Sequence, residues 1–131
     1  MATGTAGTQA RQYTTAQTHY LSAEISYTDA GASVSLGFCP AGARIIRGGV
    51  SVETAFNGDT TNTLNIGTTA DADEFASALA LGTIGVIPAD EMATTNGAKM
   101  TADTEIFAAV TSTASPSAGA GLVWVEYILP M

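Results

Sequence analysis

The sequence predicts an all-β fold, a jelly roll or another β-sandwich of about eight short strands with at most one short helix. Two observations support this prediction: stretches of alternating apolar and polar residues recur along the chain, and turns rich in glycine or proline separate them. The clearest stretch is a long strand whose apolar face is predicted to hold Ile46, Val50, Val52 and Phe56. The 131 residues are the length of one domain.

The first residues differ in composition from the rest of the chain. Residues 1–17 consist mainly of Ala, Thr, Gly and Gln and hold almost no bulky apolar side chain. Such a segment cannot bury enough apolar surface to fold by itself. We therefore expect a flexible N-terminal arm at 1–17 and a single β domain at 18–131.

Two strands are predicted before the long one. Residues 18–27 alternate from His19 onward, and residues 33–38 are expected to turn Val34, Leu36 and Phe38 inward. The connection between the two strands is short, which favours a hairpin.

The middle of the chain combines a turn, a strand and an acidic segment. Asn57-Gly58-Asp59 predicts a tight hairpin, because Asn-Gly tolerates positive φ values. A short strand at 63–67 follows. Residues 71–81 are the one plausible helix, with Asp71 as its cap and Phe75 and Leu79 at helical spacing; a single helical turn or a loop is the alternative.

The last third is predicted to hold strands at 83–87, 105–113 and 122–129, with a further short edge strand at 99–101 as a possibility. The final strand is apolar on both faces, which is typical of a central strand or one covered by a partner. One face carries Leu122, Trp124 and Ile128, and aromatic anchors dominate protein contacts. The alternative is that Trp124 packs beneath the segment around Phe75.

Composition limits the classes of partner. Charged residues make up 12% of the chain and the net charge is −8. Most surface side chains are therefore small and uncharged, and such side chains lose little conformational entropy on binding. This favours a protein that is packed against neighbours. The alternative is a soluble domain with few charged residues. Four basic residues argue against nucleic acid and anionic membranes. No apolar run reaches the ~18 residues of a membrane span. The N-terminus lacks the basic-then-apolar order of a signal peptide, so synthesis in the cytoplasm is expected.

No catalytic residue and no cofactor are predicted. His19, the sole histidine, lies on an apolar strand face and is interpreted as a hydrogen-bonded structural residue; Cys39, the sole cysteine, is interpreted as a buried inert thiol. Asp71, Asp73 and Glu74 are either Ca²⁺ ligands or helix-capping residues, and the sequence does not decide between them.

The segment from Leu36 to about Leu81 contains PAGARII, then GVSVETAFNGDTTNTLNIGT, then the acidic stretch. It resembles the jelly-roll capsid decoration, or cement, proteins of tailed bacteriophages. The resemblance implies a non-enzymatic virion protein without cofactors that binds the outside of the head and stabilises contacts between major capsid protein subunits. It also implies self-association as a homodimer or homotrimer, and a place on the head surface after synthesis in the host cytoplasm.

Within this hypothesis, six residues are candidates for capsid or subunit contacts. They are Gln9, Arg11 and Tyr13 in the arm and Leu122, Trp124 and Ile128 on the last strand. Two alternatives stay open. One is a tail- or fibre-associated structural protein of the same kind of virion. The other is a carbohydrate-binding jelly roll that uses Asn57, Asp59 and Asn62 near Phe56.

Overall fold

The computed structural model describes residues 18–90 and 100–129, which form two antiparallel four-stranded sheets packed face to face. The strands in chain order are β1 (His19–Ser26), β2 (Ser33–Cys39), β3 (Arg44–Thr54), β4 (Asn62–Gly67), β5 (Ala76–Ala80), β6 (Gly85–Pro88), β7 (Thr104–Ser112) and β8 (Ala120–Ile128). The first sheet has the order β1-β8-β3-β6, and the second has the order β2-β7-β4-β5.

The connectivity is that of a jelly roll. Strand β1 pairs with β8, β2 with β7, β3 with β6 and β4 with β5, so the pairs are nested one inside the next. Only β4 and β5 are consecutive neighbours within one sheet, and every other connection crosses between the sheets. The predicted fold class is therefore confirmed.

Helical structure is nearly absent from the described residues. Their one helical element is the 3-10 turn Tyr27–Asp29, which Ser26 caps. No helix in this part of the chain is long and apolar enough to cross a membrane.

The core lies between the sheets and is built from alternate residues of the central strands. Val123 and Val125 of β8 and Leu64 and Ile66 of β4 are fully buried. Burying each such side chain contributes roughly 1.5–3 kcal/mol, which provides most of the force that holds the sheets together.

Two predicted inward residues point outward because β-bulges interrupt their strands. The register of β3 shifts between Ile45 and Arg47, so Ile45 is buried whereas Ile46 is exposed. The register of β2 shifts between Ser35 and Gly37, and Phe38 is 61% exposed. One extra residue reverses the alternation beyond it, and the predicted facing of Ile46 and Phe38 is wrong for that reason.

The predicted helix at 71–81 is a loop followed by strand β5. The Phe75 amide donates to the Ile66 carbonyl at 2.9 Å, and β5 then pairs with β4. A short apolar run does not distinguish a buried strand from a helix by its spacing alone. Here β4 supplies hydrogen-bond partners for the backbone of this segment, so the segment forms strand β5.

Both predicted hairpins are connections between sheets instead. Strands β1 and β2 belong to different sheets, and so do β3 and β4. Neither Asn57 nor Gly58 has a positive φ. Asn57 instead holds a distant loop, because its Oδ1 accepts the amides of Ser117 at 2.8 Å and Ala118 at 3.0 Å.

Candidate interaction surfaces

The outward face of the first sheet, called the Trp124 face below, carries the candidate residues of β8. Residues directly opposite each other on antiparallel strands point to the same side of a sheet. The central row across the sheet consists of Ser22, Trp124, Gly49 and Pro88. The next row consists of Glu24, Leu122, Ser51 and Val86.

Trp124 is half-buried on this face, whereas its neighbours Val123 and Val125 are fully buried on the other side of β8. The strand therefore separates Trp124 from the core. Phe75 belongs to that core and bonds through its amide to β4 in the opposite sheet. The alternative in which Trp124 packs beneath Phe75 is wrong.

A carboxylate holds the tryptophan and an arginine together. Glu126, which is 8% exposed, accepts from Arg47 Nε at 3.0 Å and from the Trp124 indole Nε1 at 3.4 Å. The Arg47 side chain is 70% exposed, so the ion pair itself contributes little to stability. Its effect is to restrict the rotamers of an exposed cation and of an aromatic side chain on one surface.

The structure places all three candidate residues of β8 on the Trp124 face. Leu122 is 39% exposed, and Ile128 is half-buried opposite Arg44. Tyr20, 65% exposed, and Val86, 67% exposed, add apolar surface that the sequence did not single out as part of a site. The alternation of apolar and polar residues in β1 would have been enough to predict that Tyr20 points outward. Gln9, Arg11 and Tyr13 lie outside the described residues.

A groove of about 290 Å³ lies on the outward face of the second sheet. Its lining consists of Ser33, Thr68, Thr69, Ala72, Phe107 and Ala109. The loop that forms one wall folds back onto Gly67, where a Cβ would overlap the carbonyl oxygen of Asp71. Gly67 lies opposite Phe107 on β7, so this close approach of the loop creates the wall beside the Phe107 ring.

Hydrogen bonds within the loop keep this wall in place. The Thr68 amide donates to the Asp71 carbonyl at 2.9 Å, and the Asp71 amide donates to Thr68 Oγ1 at 3.2 Å. Asp71 Oδ1 accepts the Asp73 amide at 3.4 Å. Within residues 18–90 and 100–129, no group of three or more His, Cys, Asp or Glu side chains is placed to hold a metal ion. The acidic cluster thus orders a loop there and does not cap a helix.

The sole histidine of the chain is half-buried, and its sole cysteine is fully buried. The His19 ring stacks on Tyr127 with ring centroids 5.2 Å apart, and its Nε2 is buried without a hydrogen-bond partner among the described residues. The hydrogen bond predicted for His19 is therefore not made by this atom. Cys39 is fully buried, as predicted, and burial raises the pKa of its thiol to about 11.

The residues considered for glycan binding, Asn57, Asp59 and Asn62 near Phe56, lie in the connection between β3 and β4 or, for Asn62, at the start of β4. Phe56 is 2% exposed and offers no aromatic surface to a sugar. Asn62 Oδ1 accepts the Gly58 amide at 2.8 Å and the Ser112 hydroxyl at 2.6 Å, and Asn57 holds the loop at Ser117. The amide side chains are thus used to fix the connection between sheets.

Comparison with known proteins finds similarity in solved structures alone. No protein-family model matches the chain, and no curated protein matches it. The fold is similar to a chain of the cyanophage Pam1 capsid asymmetric unit, with 24% identity, a TM-score of 0.64, and coverage of 87% of this chain and 86% of that one.

Two further capsid structures contain similar chains. One is the acidic stable capsid of Helicobacter pylori bacteriophage KHP30, with 17% identity, a TM-score of 0.67, and coverage of 89% of this chain and 91% of that one. The other is the capsid of Ralstonia phage GP4, with 18% identity, a TM-score of 0.63, and coverage of 89% and 87%. At these identities the likeness shows a shared fold.

Proposed function

We propose that this protein is a non-enzymatic structural component of a bacteriophage virion that binds the outside of the head. The observation that carries the proposal is the likeness to chains of three phage capsid structures, which extends over 86–91% of those chains. The similar chains are therefore single jelly rolls of about this size and not domains of much larger proteins. A small jelly roll in a capsid is suited to bridging larger subunits.

The Trp124 face supports a binding role by its chemistry. Leu122, Trp124 and Ile128 present apolar surface, and Glu126 fixes the indole beforehand. Anchoring aromatic side chains that are already ordered lose little entropy on binding. We assign this face to contact with the major capsid protein or with a second copy, as a homodimer or homotrimer. The arm residues Gln9, Arg11 and Tyr13 are assigned to a neighbouring subunit.

The stabilising mechanism is linkage. A protein that binds only the assembled, expanded shell stabilises that shell by its binding free energy. Copies that also contact each other bind multivalently, which strengthens attachment without a new kind of contact. No catalytic step is needed for this function.

The test is co-sedimentation of the purified protein with phage heads that lack it, before and after shell expansion. We expect saturable binding to expanded heads and an increase in the temperature at which the heads open. Heads that already carry the protein serve as the control for occupied sites. If neither form of the head binds the folded protein, the assignment to the head is wrong, and a tail or fibre component becomes the better hypothesis.

A further inference from the structure

Asn57-Gly58, in the connection between β3 and β4, is a pair of residues that can react with each other. The backbone nitrogen of the residue after an asparagine can attack the carbonyl carbon of the asparagine side chain. Glycine has no Cβ, so it hinders this nitrogen less than any other residue does. Asn57 is exposed, so water has access to the reaction product. An unfolded chain is therefore expected to deamidate at this pair.

The reaction needs no reagent other than water. Hydroxide removes the proton of the Gly58 amide, the nitrogen forms a bond to Cγ of Asn57, and the Cγ–Nδ2 bond breaks with release of ammonia. Water then opens the succinimide ring at either of its carbonyl groups. The products are aspartate and isoaspartate, and in isoaspartate the main chain runs through the former side chain and is longer by a carbon atom.

In the folded domain, a hydrogen bond holds the attacking nitrogen. The Gly58 amide donates to Asn62 Oδ1 at 2.8 Å, and Asn62 Nδ2 donates to the Gly58 carbonyl at 2.8 Å. The Ser112 hydroxyl donates to the same Oδ1 at 2.6 Å, which fixes the Asn62 side chain. Hydroxide can remove the amide proton only after these bonds open, as in hydrogen exchange. Asn62 therefore opposes the first step.

The contacts of Asn57 itself do not protect it in the same way. Its Oδ1 accepts the amides of Ser117 at 2.8 Å and Ala118 at 3.0 Å. Backbone amides that donate to a carbonyl oxygen also stabilise the negative charge that develops on this oxygen during attack. These two bonds thus favour the reaction of the carboxamide, and protection depends on the bonds between Gly58 and Asn62.

Packing explains why a reactive pair occupies this position. A Cβ on Gly58 would overlap the carbonyl oxygen of Thr113 and lie 2.8 Å from Ser112 Oγ. The neighbouring Asn57 is needed because its side chain holds the loop before β8. The connection therefore requires both residue types, and the domain has to suppress their reaction by hydrogen bonding.

We infer that Asn57-Gly58 is a deamidation site that Asn62 keeps closed in the folded domain and that reacts when the connection between β3 and β4 opens. The isoaspartyl product lengthens the main chain beside Gly58, which has no free space on the side of Thr113. The original hydrogen bonds then do not re-form, so the reaction permanently marks chains that have opened. The inference concerns a single chain and does not depend on the proposed function.

Mass spectrometry of the full-length chain, incubated at mildly alkaline pH in buffer and in urea, tests the inference. In urea, we expect Asn57 to convert at a rate similar to that of Asn96-Gly97, the second Asn-Gly pair of the sequence. In buffer, conversion of Asn57 should be roughly tenfold slower or more, because opening breaks the hydrogen bonds of Gly58. Equal rates at Asn57 in buffer and urea, or no conversion of Asn57 in urea, would overturn the inference.

Asn62→Ala removes the bonds to Gly58, and Asn65→Ala is the matched control. Asn65 lies on the same strand, but its Oδ1 accepts the amide of Ala78, at 2.7 Å. In buffer, we expect Asn62→Ala to deamidate at Asn57 roughly tenfold faster than the unmodified chain, and Asn65→Ala to react at the unmodified rate. Urea unfolding verifies that both variants are folded. An unchanged rate in folded Asn62→Ala would contradict the role of Asn62.

Hydrogen exchange of the unmodified protein tests the same bonds without a substitution. Exchange and deamidation begin with removal of the same proton, so the Gly58 amide should exchange roughly tenfold more slowly than in the unfolded chain, or slower still. Low concentrations of urea should raise the rates of exchange and deamidation in parallel. Exchange of Gly58 at the rate of the unfolded chain would refute the inference even if Asn62→Ala does not fold.

Discussion

Cys39 illustrates how a single buried residue makes stability depend on pH. Its side chain is fully buried at the end of β2, and desolvation raises the pKa of the thiol from 9.0 to about 11. The folded state therefore keeps a proton that the unfolded chain loses between these two values. Because the folded state binds more protons in this window, its stability falls as pH rises from about 9 to 11.

We expect the free energy of unfolding to decrease from pH 9 to pH 11, and the decrease to be smaller in Cys39→Ala. Burial also raises the pKa of Tyr127, which remains in the variant, so part of the slope persists. Urea unfolding of both proteins at several pH values measures the difference in slope. Equal slopes, or rapid labelling of the folded protein by a thiol reagent at pH 8, would contradict this account.

At the scale of elements, the bulge in β5 places a non-glycine residue in a left-handed conformation. Ala78 has φ 56°, and the register with β4 shifts at this point. The two amides displaced from the ladder bond to side chains: Ala78 to Asn65 Oδ1 at 2.7 Å and Ser77 to Asp90 Oδ1 at 2.9 Å. Both displaced amides therefore have hydrogen-bond partners, whereas the left-handed conformation of Ala78 still costs free energy.

We expect Ala78→Gly to stabilise the protein by about 1 kcal/mol, because glycine adopts this conformation without steric conflict. Ala80→Gly in the same strand, at a residue with negative φ, is the control and should destabilise by about 0.5–1 kcal/mol. Chemical denaturation of the two variants gives both values. A destabilised Ala78→Gly would mean that chain entropy outweighs the strain.

The existence of strands was predictable from the sequence, whereas their pairing was not. The alternation in β1 and β4 is uninterrupted, and both strands form with the predicted apolar faces. Bulges in β2 and β3 reverse the facing of Phe38 and Ile46, and no local pattern marks an inserted residue. The short connection after β1 favoured a hairpin, but the partner of β1 is β8, at the far end of the chain. Long-range burial decides such pairings.

The same contrast holds for the interaction surfaces. Alternation in β8 was enough to place Leu122 and Trp124 on one face, and the structure brings them together there. The groove was not predictable, because it depends on a loop that folds onto Gly67 and was expected to be helical. Trp124 points outward and its neighbour Val125 points into the core, so substitutions at these two positions test whether the Trp124 face is an interface.

Trp124→Ala should weaken binding to heads or self-association while lowering the free energy of unfolding by about 1 kcal/mol or less, since its side chain faces away from the core. Val125→Ala, its fully buried neighbour, should cost about 2–3 kcal/mol through lost burial and a cavity. Thermal denaturation beside co-sedimentation separates the two effects. If Trp124→Ala unfolds the domain, Trp124 belongs to the core and not to an interface.

The position of β8 between β1 and β3 has a consequence for synthesis on the ribosome. Strand β1 has no other partner in its sheet, so its backbone groups stay unpaired until β8 has been made. A growing chain can close the β4–β5 hairpin early, but it cannot complete the first sheet. Pairing between distant segments also slows folding, because the chain loses the entropy of loop closure before the stabilising contacts form. The first sheet is therefore expected to form only after β8 has left the ribosome, and the exposed strands of the nascent protein need protection until then.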